Sequence, residues 1–127
     1  MLRTPWQSGP FQPTGQPVLV SVTRLKSERR VDLPGIYRRG LSLLRRWPRL
    51  DGAVGIWLWS EPLAGLSGSI SVWRDEAALH AFLGLPEHVA VMRDYADRGS
   101  VSATVFSSPW PARRETLTQA TNWLHAA

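Results

Sequence analysis

The chain has no cysteine among its 127 residues. Disulfides, thiolate metal ligands and a cysteine nucleophile are therefore excluded, and the composition suits a reducing compartment. No apolar run approaches the roughly 18 residues that a membrane span requires. The opening stretch MLRTPWQSGPFQPTGQP places Pro, Gly and Gln where a secretory signal needs an unbroken apolar run. We expect a cytoplasmic protein with no membrane partner and with a flexible N-terminal arm over residues 1–16.

Lysine is almost absent as well. Lys26 is the only one, so nearly all of the 15 basic residues behind the net charge of +5 are arginines. Proteins that bind nucleic acid cluster such residues against phosphates. The arginine pairs of this chain are scattered along the sequence, which favours a solvated surface over a nucleic-acid partner.

Three motifs that would identify an enzyme class are also missing. The sequence has no Gly-x-Ser-x-Gly turn for a serine nucleophile. It has neither a phosphate-binding loop nor a dinucleotide-binding fingerprint. Serine hydrolase chemistry, and nicotinamide or flavin chemistry through such motifs, are therefore unsupported.

What the sequence does contain is a regular succession of strand and helix patterns. The segment from Val18 alternates apolar and polar residues, as a strand covered on one face should. Asp32 and Asp75 stand where helix N-caps belong, and Gly84 and Gly99 stand where helices stop. The pattern predicts a strand from Val18, a helix over 33–47, strands over 53–60 and 66–73, helices over 75–83 and 86–98, a strand over 101–106 and a helix over 113–125.

This order is the ferredoxin-like βαββαβ arrangement of an α+β protein, with one four-stranded antiparallel sheet and an extra C-terminal helix. We expect residues 17–108 to form the domain and residues 109–127 a helical extension. Trp57 and Trp59 project from one face of their strand, and Ile56 and Leu58 project from the other. Because both faces are apolar, the face without helices needs a cover. A second copy of the chain would supply it, so we predict a homodimer.

The run GSISVWRDEAALHAFLGLPEHVAVMRD carries a family resemblance. It resembles the second half of the dimeric α+β barrel superfamily, which includes antibiotic-biosynthesis monooxygenases. In motif it is most similar to proteins related to spheroidene monooxygenase, in which a strand ending in Ser-x-Trp precedes an acidic helix start, an Ala-Leu-x-x-Phe segment and a histidine. Those elements are here Ser71 and Trp73, Asp75 and Glu76, Ala78 to Phe82, and His88.

The resemblance implies a homodimeric α+β barrel in which each subunit holds a hydrophobic small molecule between sheet and helices. Similar proteins include cofactor-free oxygenases that make quinones from aromatic polyketides, haem-dependent enzymes, and isomerases or cyclases of natural-product pathways. The chain departs from the ring-oxidising type because its only asparagine is Asn122, so no Asn-Trp pair is evident for the cavity. We expect an oxygenase-like enzyme of specialised metabolism, with no cofactor or with haem. The alternatives are a non-oxidative cyclase or isomerase, and a non-catalytic dimer that binds haem or another ligand.

Three residues on one helix are candidates for the reactive site. His88, Met92 and Tyr95 are spaced i, i+4 and i+7 and so share one helix face. A neutral imidazole could act as a general base or ligate haem iron, and the alternative is a histidine of the core. We predict that His88 is catalytic and that Tyr95 and Arg98 assist it. Apart from His88 with haem, we predict no metal ligand.

Tryptophan is unusually frequent, with seven in the chain. Flat aromatic side chains suit an apolar ligand pocket. We predict that Trp57, Trp59 and Trp73 bind substrate together with Met92, the alternative being that they fill the core and the dimer interface. Four serines are candidate hydrogen-bonding partners of a ligand: Ser67, Ser69, Ser71 and Ser102.

Overall fold

The computed structural model describes residues 1–111 and 113–126. The strands in these residues are β1 (Leu2–Arg3), β2 (Gln7–Ser8), β3 (Val18–Ser27), β4 (Ala53–Glu61), β5 (Leu66–Trp73) and β6 (Gly99–Ser108). The α-helices are α1 (Leu33–Arg46), α2 (Glu76–Leu83), α3 (Pro86–Tyr95) and α4 (Arg113–Ala126). The predicted α+β class and the order of its elements are confirmed. None of the described helices is long and apolar enough to cross a membrane.

The four long strands form an antiparallel sheet in the order β4-β5-β3-β6. This is the ferredoxin-like arrangement, in which the first long strand lies between the third and the fourth. The predicted hairpin joins β4 to β5 through a 3₁₀ turn at Pro62–Ala64. Gly65 closes this turn with φ of +70°, a conformation that glycine adopts without strain.

The helix ends follow the sequence signals with two exceptions. Asp75 caps α2 as predicted, since its Oδ1 accepts a hydrogen bond of 2.9 Å from the Ala78 N–H. Asp32 occupies the predicted N-cap position of α1, but its side chain makes no capping hydrogen bond and its backbone is already helical, with φ of −78° and ψ of −20°. Its Oδ1 instead faces Arg98 Nη1 at 3.4 Å. Helix α3 ends at Tyr95 and not at Arg98, whose N–H turns back to the Tyr95 carbonyl.

Two apolar clusters lie on opposite faces of the sheet, as the alternation in β4 predicts. Ile56 and Leu58 pack toward α1 and α2. Trp57 and Trp59 pack on the other face with alternate residues of β3 and β5 and with α4. A β-bulge between Ala53 and Gly55 shifts the register at the start of β4. Both faces of the sheet are therefore buried.

The chain itself covers the face on which the sequence argument placed a second copy. Ala120 and Leu124 of α4 are buried in the cluster on that face. Thr116 is fully buried, and its Oγ1 lies 3.0 Å from Ser108 Oγ at the end of β6. Most of this cover thus comes from within the chain, because α4 turns back across the sheet.

The N-terminal segment also differs from the expected loose arm. Strands β1 and β2 pair with the outer edge of β4. Thr4 is buried and its Oγ1 accepts a 3.0 Å hydrogen bond from the Leu58 N–H. Trp6 packs on Trp57 with ring centroids 4.5 Å apart. Residues 2–8 therefore extend the sheet, and the packing of the apolar Trp6 on Trp57 helps to hold them there.

Candidate functional site

A cavity of about 320 Å³ lies between the sheet and helices α1, α2 and α3. Its floor is formed by the hydroxyl-bearing face of β3 and β5, where Ser21, Thr23, Ser67, Ser69 and Ser71 lie in two neighbouring rows. Its other walls are mainly apolar side chains of the three helices. Among the described lining residues there is no Asp, Glu, Lys or Arg. An apolar chamber with a few polar groups on one side is typical of a small-molecule site.

His88 lines this cavity from the first turn of α3. It is half-buried, and its ring packs against Phe82 with centroids 4.9 Å apart. Burial away from water lowers the pKa of His88 below its ordinary 6.5, and a hydrogen bond to the Leu83 backbone opposes part of this effect. The lowered pKa favours the neutral imidazole near pH 7, and a neutral imidazole can accept a proton.

Tyr95 also lines the cavity, about two helical turns after His88 along α3. The guanidinium carbons of Arg39 and Arg98 lie 5.8 and 5.6 Å from the centre of its ring, within the range of cation–π contacts. A Cβ added to Gly35 would lie 2.8 Å from the Tyr95 hydroxyl oxygen, so a larger residue there would make the end of the Tyr95 side chain shift. Arg98 itself does not line the cavity; it positions Tyr95 and pairs with Asp32.

Ion pairs link α1 and its preceding turn to α3 and its following turn across the outside of the cavity. Arg39 Nη1 lies 2.6 Å from Asp94 Oδ2, and Arg46 Nη1 lies 2.6 Å from Glu87 Oε1. The Arg98 pair with Asp32 extends this row, in which residues 32, 39 and 46 are spaced seven positions apart. Exposed pairs of this kind contribute at most about 1 kcal/mol each. They fix the spacing of the two helices over the cavity.

The three tryptophans that were predicted to bind substrate lie in three different places. Trp57 lies on the opposite face of the sheet, away from the cavity. Trp59 touches the cavity but belongs to that opposite cluster, where its Nε1 donates a 3.2 Å hydrogen bond to the Thr23 carbonyl. Trp73 is fully buried between Trp47 and Phe82 and touches only a separate surface hollow. The structure therefore places Trp57 and Trp73 in the core, which was the alternative to a role in binding substrate.

The cavity brings together His88, Met92 and Tyr95, as their helical spacing predicts. Of the four serines, Ser67, Ser69 and Ser71 line it and Ser102 does not. Sequence reasoning missed the contribution of β3 and α1, namely Ser21, Thr23, Leu25, Ile36, Tyr37, Gly40 and Leu43. The alternation in β3 had signalled part of it, because Ser21 and Thr23 lie on the face opposite its buried valines.

Haem and metal ions fit this site poorly. The cavity volume lies at the lower end of the roughly 300–1,000 Å³ typical of enclosed ligand sites. The macrocycle of haem would not be enclosed within it, and the Phe82 ring, tilted by 58° to the imidazole, packs against His88. Within the described residues no three His, Asp or Glu side chains lie close enough to hold a metal ion. The residues present suit a smaller organic molecule better.

Comparisons with known proteins bear on the fold. No protein-family model matches the sequence, and no curated protein is significantly similar to it. A Nitrosomonas europaea structure whose name assigns it to the antibiotic biosynthesis monooxygenases matches with a TM-score of 0.66 and 8% identity, over 80% of this chain and 98% of that one. Rv0793 from Mycobacterium tuberculosis matches with a TM-score of 0.64 and 18% identity, over 76% and 99%.

SnoaB, a cofactor-independent oxygenase from Streptomyces nogalater, matches with a TM-score of 0.58 and 17% identity, over 73% of this chain and 94% of its own. These neighbours match over nearly their whole length, so at least a fifth of the present chain lies outside the shared fold. The narrower likeness to spheroidene monooxygenase-related proteins stays a prediction. The chain therefore has the ferredoxin-like α+β fold of antibiotic-biosynthesis-monooxygenase-like proteins.

Proposed function

We propose that the protein is an oxygenase of specialised, antibiotic- or polyketide-type metabolism, acting on a hydrophobic aromatic molecule bound in the cavity. The observation that carries this proposal is the neutral imidazole of His88 in an apolar chamber whose floor bears hydroxyl groups. The likeness in fold to a cofactor-independent oxygenase supports the reaction class. Met92 and Trp59 would contact the substrate, and Tyr95 would stand beside the base.

His88 takes the proton of a phenolic hydroxyl, which leaves an electron-rich oxyanion on the substrate. A carbon of the activated ring then reacts with dioxygen to form a peroxide, and the protonated His88 returns its proton to the outer peroxide oxygen. Loss of the hydrogen on that carbon as a proton, together with cleavage of the O–O bond, leaves one oxygen atom on the ring as a carbonyl and releases the other as hydroxide, which takes up that proton to form water. For 1-naphthol the balance is one naphthol and one dioxygen giving one 1,4-naphthoquinone and one water.

The test is oxygen uptake with a panel of hydroxylated naphthalenes that includes 1-naphthol. We expect uptake and quinone formation in equal amounts with the purified protein, and neither under argon. A product formed at the same rate under argon would instead identify the cyclase or isomerase alternative. Binding without any turnover across the panel would identify a ligand-binding protein and contradict the proposal.

The pH dependence follows from the lowered pKa of His88. Because its pKa is lowered, the unprotonated form of His88 persists to pH values below 6.5. We therefore expect kcat/KM to fall on the acid side with an apparent pKa below 6.5. Because the pKa of His88 is lower in the folded protein, the unfolded chain binds the proton more readily than the folded one. The stabilising contribution of the neutral His88 is therefore present above pH 6.5, and it is lost as the pH falls through the folded-state pKa. An acid limb above pH 6.5 that moves with a His88 variant would contradict this assignment.

We also propose that the predicted homodimer forms through the outer edge of β6 and not through the covered sheet face. Among the described strands, β6 pairs only with β3, and its sequence GSVSATVFSS has neither charge nor proline to protect the edge. Val101 and Val105 are 48% and 49% exposed. Sedimentation velocity should show a species of twice the single-chain mass, reduced to one chain by Val105→Lys. A single chain at every concentration would contradict the dimer.

A further inference from the structure

Thr23 and Ser69 form a hydrogen-bonded pair of hydroxyls on the cavity floor, and one of their two protons is not used in that bond. Their Oγ1 and Oγ atoms lie 2.9 Å apart, and the Ser69 backbone N–H donates to Thr23 Oγ1 at 3.0 Å. Each hydroxyl has one proton and two acceptor positions. The bond between the two oxygens uses one of the two protons. Within the described residues no other acceptor engages the second proton, and both side chains line the cavity.

The neighbouring hydroxyl on β5, that of Ser71, differs from this pair in its hydrogen bonding. Ser71 Oγ donates to the Ser21 carbonyl at 3.4 Å and accepts the indole N–H of Trp73 at 3.0 Å. Its proton is therefore already engaged within the protein. Of the two hydrogen-bonded groups on the floor, the Thr23–Ser69 pair keeps a donor for a ligand. The nearby Ser67 Oγ is buried and has no hydrogen-bond partner among the described residues, so it also keeps its proton.

We propose that the Thr23–Ser69 pair is an oxyanion-binding site that receives the oxygen of the deprotonated aromatic substrate. This inference rests on the proposed function, because His88 on α3 would take the proton whose removal creates the oxyanion. The surroundings favour an anion, since no carboxylate of the described residues lines the cavity. The titratable groups that line it are His88, Tyr37 and Tyr95, and the two guanidiniums beside the Tyr95 ring add positive charge nearby.

Because the two hydroxyls are paired, single and double variants should differ strongly in how much they weaken anion binding. If Ser69 is replaced by Ala, the Thr23 hydroxyl keeps its proton and can still donate to the ligand. In Thr23→Val the Ser69 hydroxyl does the same. Each single variant should therefore weaken anion binding by less than about three-fold. The double variant Thr23→Val/Ser69→Ala loses both donors and should weaken it by about ten- to a hundred-fold, the range for a hydrogen bond to a charged group.

The probe is 4-nitro-1-naphthol, whose anion absorbs visible light, with 1-nitronaphthalene as the matched ligand that lacks the hydroxyl. We expect the wild-type protein to bind the naphtholate and to ionise it at a lower pH than in solution. The double variant should lose this ionisation while it binds 1-nitronaphthalene unchanged. Thr23→Ser combined with Ser69→Ala restores one donor and should recover the signal, which also separates recognition from a folding defect.

The control variant is Ser108→Ala/Thr116→Val, which removes a hydroxyl pair of similar geometry on the opposite face of the sheet. It should leave both ligands unaffected. A double variant at 23 and 69 that binds naphtholate as wild type does, while turnover still depends on His88, would overturn the oxyanion site alone. A wild-type protein that binds neither ligand would overturn the oxyanion site and the proposed function together.

Discussion

The variant His88→Ala is expected to lower kcat/KM for a phenolic substrate by about 10²- to 10⁴-fold, the usual contribution of a general base. The expectation rests on two observations. His88 lines the cavity, and burial keeps its imidazole neutral and ready to accept a proton. The measurement is oxygen uptake at saturating and at low naphthol concentrations, so that kcat and KM are separated.

His80→Ala is the matched control for this variant. His80 lies on the neighbouring helix α2, is exposed, and faces Glu76 at 3.6 Å. Its replacement should leave turnover unchanged. The loss in His88→Ala should occur with an unchanged circular dichroism spectrum, because one half-buried ring is removed from the rim of a cavity. Equal turnover in the two variants would mean that His88 is a packing residue and that another group accepts the proton.

The variant Trp73→Ala is expected to lower the free energy of unfolding by about 3–5 kcal/mol, as large-to-small replacements of buried aromatic residues do. Trp73 is fully buried, packs edge-on against Trp47 at 4.9 Å between ring centroids, and donates a hydrogen bond to Ser71. Removing the indole leaves a void beside α2 and leaves Ser71 with one partner fewer. Urea denaturation followed by circular dichroism measures the change.

Trp123→Ala provides the comparison, because this indole of α4 is only partly buried. It should cost less stability than Trp73→Ala. A loss below about 1.5 kcal/mol at Trp73 would show that the surrounding core collapses into the void, since the cost depends on how far a site relaxes. Such a result would also reopen the role of Trp73 as a ligand wall.

The sequence predicted the two faces of the sheet but not what covers each of them. Alternation in β4 separates Trp57 and Trp59 from Ile56 and Leu58, because successive side chains in a strand point to opposite faces. Nothing in this local pattern tells which face receives α1 and α2. That choice is set by the long-range path of the chain. The tryptophans were therefore expected in the cavity, although their strand presents them to the opposite cluster.

The candidate site was predictable where it depends on one helix. His88, Met92 and Tyr95 share a face through the 3.6-residue period alone. The alternation in β3 indicates the face on which Thr23 lies, but its position next to Ser69 was not predictable, because the two meet only through the pairing of β3 with β5. Strand register of this kind is a property of the folded sheet. The pairing of Arg98 with Asp32 was not predictable for the same reason, since the two residues are 66 positions apart along the chain.

The cover that α4 provides has a consequence for how the protein is made. Every described strand precedes α4 along the chain, so the residues of the sheet are synthesised before the helix that shields it. At that stage the nascent chain presents Val20, Trp57 and Trp59, the residues that α4 later buries with Ala120 and Leu124. Exposed apolar surface of this kind attracts chaperones and promotes aggregation. The docking of this one helix therefore converts an aggregation-prone intermediate into a sheet that is shielded on both faces.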